Sequence, residues 1–293
     1  MKAQPLPAPT VPGLQLLALL HQGRQVNVYD AWSTERGCRV VVKTARPDRS
    51  LDARSARELL AEGRLLHGLT HPHLVRVYEV IKGAAPAVVL ETLSGHTLSS
   101  LLDRHRRLPV NDVLHLGLHL CSAMGYLHSR GWLHLDLKPS NVVADSGRAK
   151  IIDLSIARRP GRQKPGIGTP GYLSPEQAMG TELGPPTDVW GIGGLLYEAL
   201  SGDPAVPDTG TGTGTSTSGS SADRSGTTTG GPVTVVLPAP LRTRRRIPGE
   251  VVEMIDATLR LDPLRRPTIA QVAGVLADAL GASPVPHGGA STP

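Results

Sequence analysis

Short runs rich in β-branched residues recur through the first third of the chain: Val26-Asn27-Val28-Tyr29, Arg39-Val40-Val41-Val42-Lys43, Leu74-Val75-Arg76-Val77-Tyr78 and Ala87-Val88-Val89-Leu90. Branched side chains pack well on a pleated surface, so these runs predict strands. One stretch breaks the pattern. Over 53–69, Ala56, Leu59, Leu60, Leu65 and Leu66 recur at helical spacing and predict a single amphipathic helix. From Thr97 onward the period is that of helices, over 98–104, 110–130, 187–200, 249–261 and 269–280. Strands first and helices afterwards predict an α+β chain of two packed lobes with a cleft between them.

Three stretches have too little apolar matter to bury. Residues 1–13 carry Pro5, Pro7, Pro9 and Pro12 and read as a disordered proline-rich arm; 281–293 read as a flexible tail. Thirteen residues of 208–231 are Ser or Thr, which predicts a low-complexity loop within the second lobe. The expected layout is therefore an N-lobe over 14–91 and a C-lobe over 92–280. The prolines stand where a secretory signal needs an apolar helix, and no run of apolar residues is long enough to predict a membrane span.

At 39% hydrophobic and 19% charged, the 293 residues are not those of a disordered chain. Cys38 and Cys121 lie in no paired spacing, which excludes a disulfide scaffold or a cysteine-rich zinc site and suits a cytoplasmic location. The net charge of +6 comes with 25 arginines against six lysines. They are scattered, and with no Phe and 3% aromatic residues there is no stacking platform, so no nucleic-acid partner is expected. Histidines at 67, 71 and 73, and at 115 and 119, have metal-ligand spacing but no Cys or carboxylate set beside them. They are read as ordinary polar residues, the first three at a turn.

The chemistry concentrates in His134-Leu135-Asp136-Leu137-Lys138-Pro139-Ser140-Asn141, followed by Lys150-Ile151-Ile152-Asp153-Leu154-Ser155. Two aspartates flanked by apolar residues, with Lys138 and Asn141 between, supply what phosphoryl transfer needs. That set is a carboxylate to orient a hydroxyl, oxygen ligands for Mg²⁺, and a cation near the transferred phosphate. Here the chain resembles the eukaryotic-type protein kinases, in particular the bacterial serine/threonine branch, with H-L-D and D-L-S where the family has H-R-D and D-F-G. The resemblance runs over roughly 14–280. Val40-Val41-Val42-Lys43 is similar to V-A-I-K, and Glu62 to the glutamate that pairs with that lysine. Leu90-Glu91-Thr92-Leu93 is similar to the hinge, and Gly168-Thr169-Pro170-Gly171-Tyr172-Leu173-Ser174-Pro175-Glu176 to the substrate-facing loop ending in A-P-E. Asp188-Val189-Trp190-Gly191 is similar to the start of the helix that anchors the catalytic loop, and Arg266 to the arginine that pairs with Glu176.

The resemblance implies a serine/threonine kinase that passes the γ-phosphate of ATP, with Mg²⁺, to a Ser or Thr hydroxyl of a protein substrate. It implies Asp136 as base or orienter, Lys138 beside the transferring phosphate, and Lys43, held by Glu62, on the α- and β-phosphates. Asn141 and Asp153 would bind Mg²⁺. Gly23, Val28, Val41, Glu91 and Leu93 would contact the nucleotide, the last two at the adenine. The alternative is a pseudokinase, the same fold serving as a nucleotide-binding or scaffold module.

Three departures bear on that choice. Against G-x-G-x-x-G-x-V the chain reads His21-Gln22-Gly23-Arg24-Gln25-Val26-Asn27-Val28, keeping one glycine of three, which predicts ATP affinity weakened about 10- to 100-fold. Leu135 replaces the arginine that receives a phosphate in the family, and 156–168 contain no Ser or Thr, only Arg158, Arg159, Arg162 and Lys164 as charged residues. Activity independent of loop phosphorylation is therefore expected, with the basic cluster a solvated face. Leu154-Ser155 replace Phe-Gly, a mild apolar change followed by a stiffer residue beside the metal ligand.

Overall fold

Five strands build the N-terminal sheet: β1 (Leu14–Gln22), β2 (Val26–Ser33), β3 (Cys38–Ala45), β4 (Val77–Ile81) and β5 (Ala87–Glu91). They pair antiparallel in the order β1-β2-β3-β5-β4. The structure is a computed structural model that describes residues 9–23, 25–46, 53–206, 241 and 247–281. The Ser/Thr-rich loop at 208–231, the first eight residues and the tail after 281 lie outside the described residues.

At the inner strands β3 and β5 both faces of this sheet are buried. Val88 and Leu90 turn to the helix α1 (Ala53–His67) and join the main core, with Val41 packed against it. Ala31, Val40, Val42, Ala87 and Val89 turn the other way and form a second cluster. Val11 caps that second cluster at 2% exposure. Thr34 donates to the Gly13 carbonyl through both N–H (3.1 Å) and Oγ1 (3.0 Å), and Leu14 N–H donates to the Val11 carbonyl (3.2 Å). The expectation of a disordered arm over 1–13 is corrected at this end. Proline content identified a segment that forms no helix, but an extended segment can still carry one apolar side chain onto a sheet face that would otherwise meet water.

β1 escaped the strand pattern because it is leucine-rich without β-branched alternation, and it is an edge strand. Its register against β2 slips twice, between Leu16 and Ala18 and between Leu19 and His21, so no period of two survives along it. β4 begins at Val77 rather than Leu74; Leu74 makes one isolated parallel bridge to Ile151.

The second lobe contains α2 (Leu98–His105), α3 (Val110–Ser129), α4 (Pro175–Met179), α5 (Pro185–Ser201), α6 (Gly249–Thr258) and α7 (Ile269–Gly281). α3 buries Leu114, Leu120, Met124 and Leu127, and packs against α5 and α7. A small sheet of β6 (His96–Thr97), β7 (Val142–Asp145) and β8 (Arg148–Ile151) carries the loops of interest. A two-stranded ribbon, β9 (Gly161–Arg162) with β10 (Glu182–Leu183), ties down the segment that follows. Thr97 caps α2 by accepting from Ser100 N–H, and Ser174 with Gln177 forms a reciprocal cap on α4.

The turn after α1 stitches the lobes together. Val75 N–H donates to the Ile151 carbonyl and Ile151 N–H to the His73 carbonyl, both at 2.9 Å. Histidines surround this seam. His73 Nδ1 donates to the Ala149 carbonyl (2.9 Å), Ala149 N–H donates to His119 Nδ1 (3.2 Å), and the two rings stack at 4.1 Å between centroids. Among the described residues, no group of three His, Cys, Asp or Glu is placed to hold a metal ion. Burial first, then the neighbouring His73, His115 and Arg148, take His119 from its ordinary value of 6.5 down to about 4. The unfolded chain therefore binds the proton that the folded one refuses. Stability carried by this seam is complete above about pH 6.5 and is lost as pH falls towards 4. Thermal midpoints at pH 7 and pH 5 check this: the wild type drops between them, and His119→Gln, which keeps an acceptor and has no proton to gain, drops less.

Candidate active site

Lys43 sits in β3 with Glu62 of α1 above it and Asp153, just past β8, below it. Its Nζ lies 2.7 Å from Glu62 Oε1 and 3.4 Å from Asp153 Oδ2, and donates to the Ile152 carbonyl at 3.3 Å. The pair joins sheet to helix, and Glu62 Oε1 also accepts from Leu154 N–H at 3.3 Å, so both lobes share one carboxylate. Burial opposes the charge on Lys43, but Glu62 and Asp153 outweigh it and hold the ammonium above the usual lysine range. Burial likewise opposes the Asp153 charge; Lys43 and the Ser155 N–H at 2.8 Å overcome it and take the carboxyl down to about 2. Leu154 is buried where the family has Phe.

The loop from His134 to Asn141 is held by a carboxylate beneath it. Asp188, in the first turn of α5, accepts from His134 N–H (2.9 Å) and Leu135 N–H (2.8 Å), and pairs with His128 Nε2 (2.8 Å). Burial works against its charge, yet the His128 bond and the backbone donors keep it below the ordinary carboxylate range. These bonds fix Leu135 at φ +68°, a left-handed conformation that costs a leucine on the order of 1–2 kcal/mol. The reward is placement of the next residue.

Asp136 is the hub of a four-residue network. Asn141 Nδ2 donates to its carbonyl (2.9 Å) and to Oδ2 (3.0 Å), while Lys138 Nζ lies 2.7 Å from Oδ2. Thr169 Oγ1 donates to Asp136 Oδ1 and accepts from Lys138 Nζ, each at 2.6 Å. Thr169 carried no role in the sequence reading, although Gly168-Thr169-Pro170 marked the loop. Only the fold brings it to the aspartate. Gly168, at φ +125°, makes the turn possible: a Cβ there would lie 2.7 Å from Leu173 and 3.0 Å from the Leu135 carbonyl.

A cavity of about 610 Å³ opens between the lobes over Lys43 and Asp153. Of the residues expected at the nucleotide, Gly23, Val28, Lys43 and Asp153 line it, together with Glu62, Lys138, His21, Gln25, Val26 and Ser155. Val41, Glu91, Leu93 and Asn141 do not. Val41 packs against the core; the Glu91 side chain accepts from Arg76 N–H at 2.9 Å and pairs with Lys150, while the adenine contact expected of this residue is through its backbone carbonyl. The hinge glutamate is thus a strap onto β8. Asn141 and Asp153 present hard oxygen donors of the kind Mg²⁺ takes, and among the described residues no hydrogen bond engages Asn141 Oδ1.

Where the family places its phosphate-receiving arginine, an apolar cluster stands instead. Leu135 packs with Leu133 and Leu183, and Ile156 and Ile167 of the following segment lean on them. Gln177 Nε2 donates to the Leu135 and Ile167 carbonyls, both at 2.8 Å, tying segment to loop. The basic cluster is solvated: Arg158, Arg159, Arg162 and Lys164 are all exposed, and Arg159 in addition lies 4.3 Å over the Trp132 ring and donates to the Arg130 carbonyl at 2.7 Å. At the base of the lobe, Glu176 and Arg266 pair doubly, at 2.6 and 2.9 Å.

Residues 14–275 match the family described as protein kinase domain. The chain is 34% identical over 200 residues to a probable serine/threonine-protein kinase, SCO3848, of Streptomyces coelicolor, covering 64% of this chain and 30% of that one. It is 32% identical over 177 residues to the serine/threonine-protein kinase PknB of Mycobacterium leprae, covering 56% and 28%. Against the serine/threonine-protein kinase PknA of Mycobacterium tuberculosis it is 32% identical over 200 residues, covering 64% and 46%. The match therefore spans less than half the length of each of these relatives. No helix among the described residues is long and apolar enough to cross a membrane.

Proposed function

The chain belongs to the protein kinase domain family, and from that premise we propose that it transfers the γ-phosphate of ATP to a Ser or Thr hydroxyl of a protein substrate. The observation that carries this reading is the Asp136 network. A carboxylate bonded to a lysine and to a threonine hydroxyl is poised to orient a second, incoming hydroxyl and accept its proton. Lys138, beside it, offsets charge as the phosphoryl group moves. Lys43, ion-paired on both sides, is held where it can reach the α- and β-phosphates. Asn141 and Asp153 would hold Mg²⁺, which when bound neutralises charge on the phosphates; the low pKa of Asp153 keeps it ionised for that task. The scaffold alternative is not favoured, since a module that only binds has no use for a positioned carboxylate base beside an open cleft. Cys38 and Cys121, both free, suit a reducing compartment such as the cytoplasm. Transfer of labelled γ-phosphate to the protein itself or to a generic Ser/Thr substrate tests the proposal, with Asp136→Asn as the comparison. Equal incorporation by wild type and variant would refute it.

The same reading extends to regulation. The Leu135 cluster supports activity without a phosphate on the loop, because apolar packing and Gln177 already hold the segment against the catalytic loop. Phosphatase-treated protein is expected to keep its rate. Leu135→Arg, which restores the family residue, would bury an unpaired guanidinium and cost about 3–5 kcal/mol. A loss of rate on dephosphorylation, with phosphate mapped to Thr169, the first hydroxyl after 156–168, would overturn this.

A further inference from the structure

One row of side chains runs across three strands along the roof of the cavity. Lys43 stands opposite Val28 in the β2–β3 register, and Val28 stands opposite His21 in the β1–β2 register. Directly opposed residues project from the same face of a sheet. His21 therefore faces the cavity that Lys43 faces, and lines it with Gln25. A bulge is responsible. The register slips between Leu19 and His21, which leaves Leu20 without a partner and 57% exposed. Without this second slip, His21 would stand opposite Asn27 and project from the other face.

One amide of the covering loop, that of Gly23, is meanwhile occupied. Gly23 N–H donates to the Val26 carbonyl at 2.9 Å, closing a tight turn. A Cβ at position 23 would meet that carbonyl at 2.7 Å, so the remaining glycine is required by the turn itself. Arg46 holds the turn from outside, its Nη1 on the Gly23 carbonyl (3.3 Å) and its N–H on the Gln25 carbonyl (3.0 Å). An amide spent on Val26 is not aimed at a phosphate. On the floor, Lys43 is shared between Glu62 and Asp153, so a polyanion entering here needs further donors from above.

We propose that His21 binds the phosphate chain of the nucleotide, its imidazole N–H taking the place of the Gly23 amide. The inference rests on the nucleotide reading given above. Titration calorimetry with magnesium-ATP and with adenosine tests it. His21→Ala is expected to weaken ATP about tenfold, the value of one charge-assisted hydrogen bond, and to leave adenosine unchanged. His21→Lys retains the ATP affinity and His21→Glu loses more than the alanine does; these two answer the question even if the alanine variant melts early. Equal ATP affinity in the lysine and glutamate variants, or an equal loss for ATP and adenosine, overturns the inference while the nucleotide reading stands. Wild-type protein that binds neither ligand overturns both.

Discussion

Asp136→Asn is expected to slow phosphoryl transfer by about 10²- to 10⁴-fold, the usual worth of a positioned base, while ATP affinity stays close to that of the wild type. The split follows from the geometry. Asp136 does not line the cavity that takes the nucleotide, whereas Lys43 and Asp153 do. Its carboxylate faces Lys138 and Thr169 instead, on the side from which an acceptor hydroxyl would arrive. The amide is isosteric, so Asn141 and Thr169 keep a partner at that position. What is lost is the negative charge that draws a proton from the hydroxyl and the ion pair that steadies Lys138. Single-turnover transfer measured beside equilibrium ATP binding checks the prediction. A variant that loses both equally would show that Asp136 acts by holding the cleft open, not in the transfer.

Arg266→Ala is expected to be the most damaging substitution for stability, at about 3–5 kcal/mol. The Arg266 side chain is fully buried and donates to both Glu176 oxygens and to the carbonyls of Arg260, Pro186 and Leu261. Its guanidinium also sits 5.0 Å from the centroid of the Trp190 ring. Truncation leaves Glu176, itself buried and held below its ordinary pKa by this arginine against the cost of burial, without a counter-charge. Three carbonyls lose a donor at the same time. A chain of this size should lose roughly ten degrees in thermal midpoint. Glu176→Gln, which keeps two polar atoms and removes the charge, should cost less than half as much. Equal losses in the two variants would mean that the ion pair alone holds this corner, because Glu176→Gln leaves Arg266 packed on Trp190.

Much of this arrangement was legible from residue order alone, and the reason is local. Val40-Val41-Val42-Lys43 declares a strand by its branched side chains, and α1 declares itself by the spacing of Leu59 and Leu66, both buried as expected. Lys43 and Glu62 meet because strand and helix each repeat at a fixed period, so the positions facing the cleft can be counted. Asp136, Lys138 and Asn141 lie within one loop, close enough in sequence that nearness was assured. β1 was hidden because two bulges erase its period, and Val11 because a single apolar residue among prolines leaves no pattern.

The chain's order of residues determined the lobes, the Lys43–Glu62 ion pair within the first of them and the chemistry available at Asp136 and Asp153, since each rests on periodicity or on neighbours in sequence. Tertiary structure alone decided which distant groups complete the site. Thr169 reaches Asp136, Asp188 fixes Leu135 in a left-handed turn, Leu183 closes the apolar cluster and His21 turns into the roof. Each depends on a register, a bulge or a backbone angle set by packing between segments far apart in the chain, and such contacts leave no trace in the local pattern of either partner.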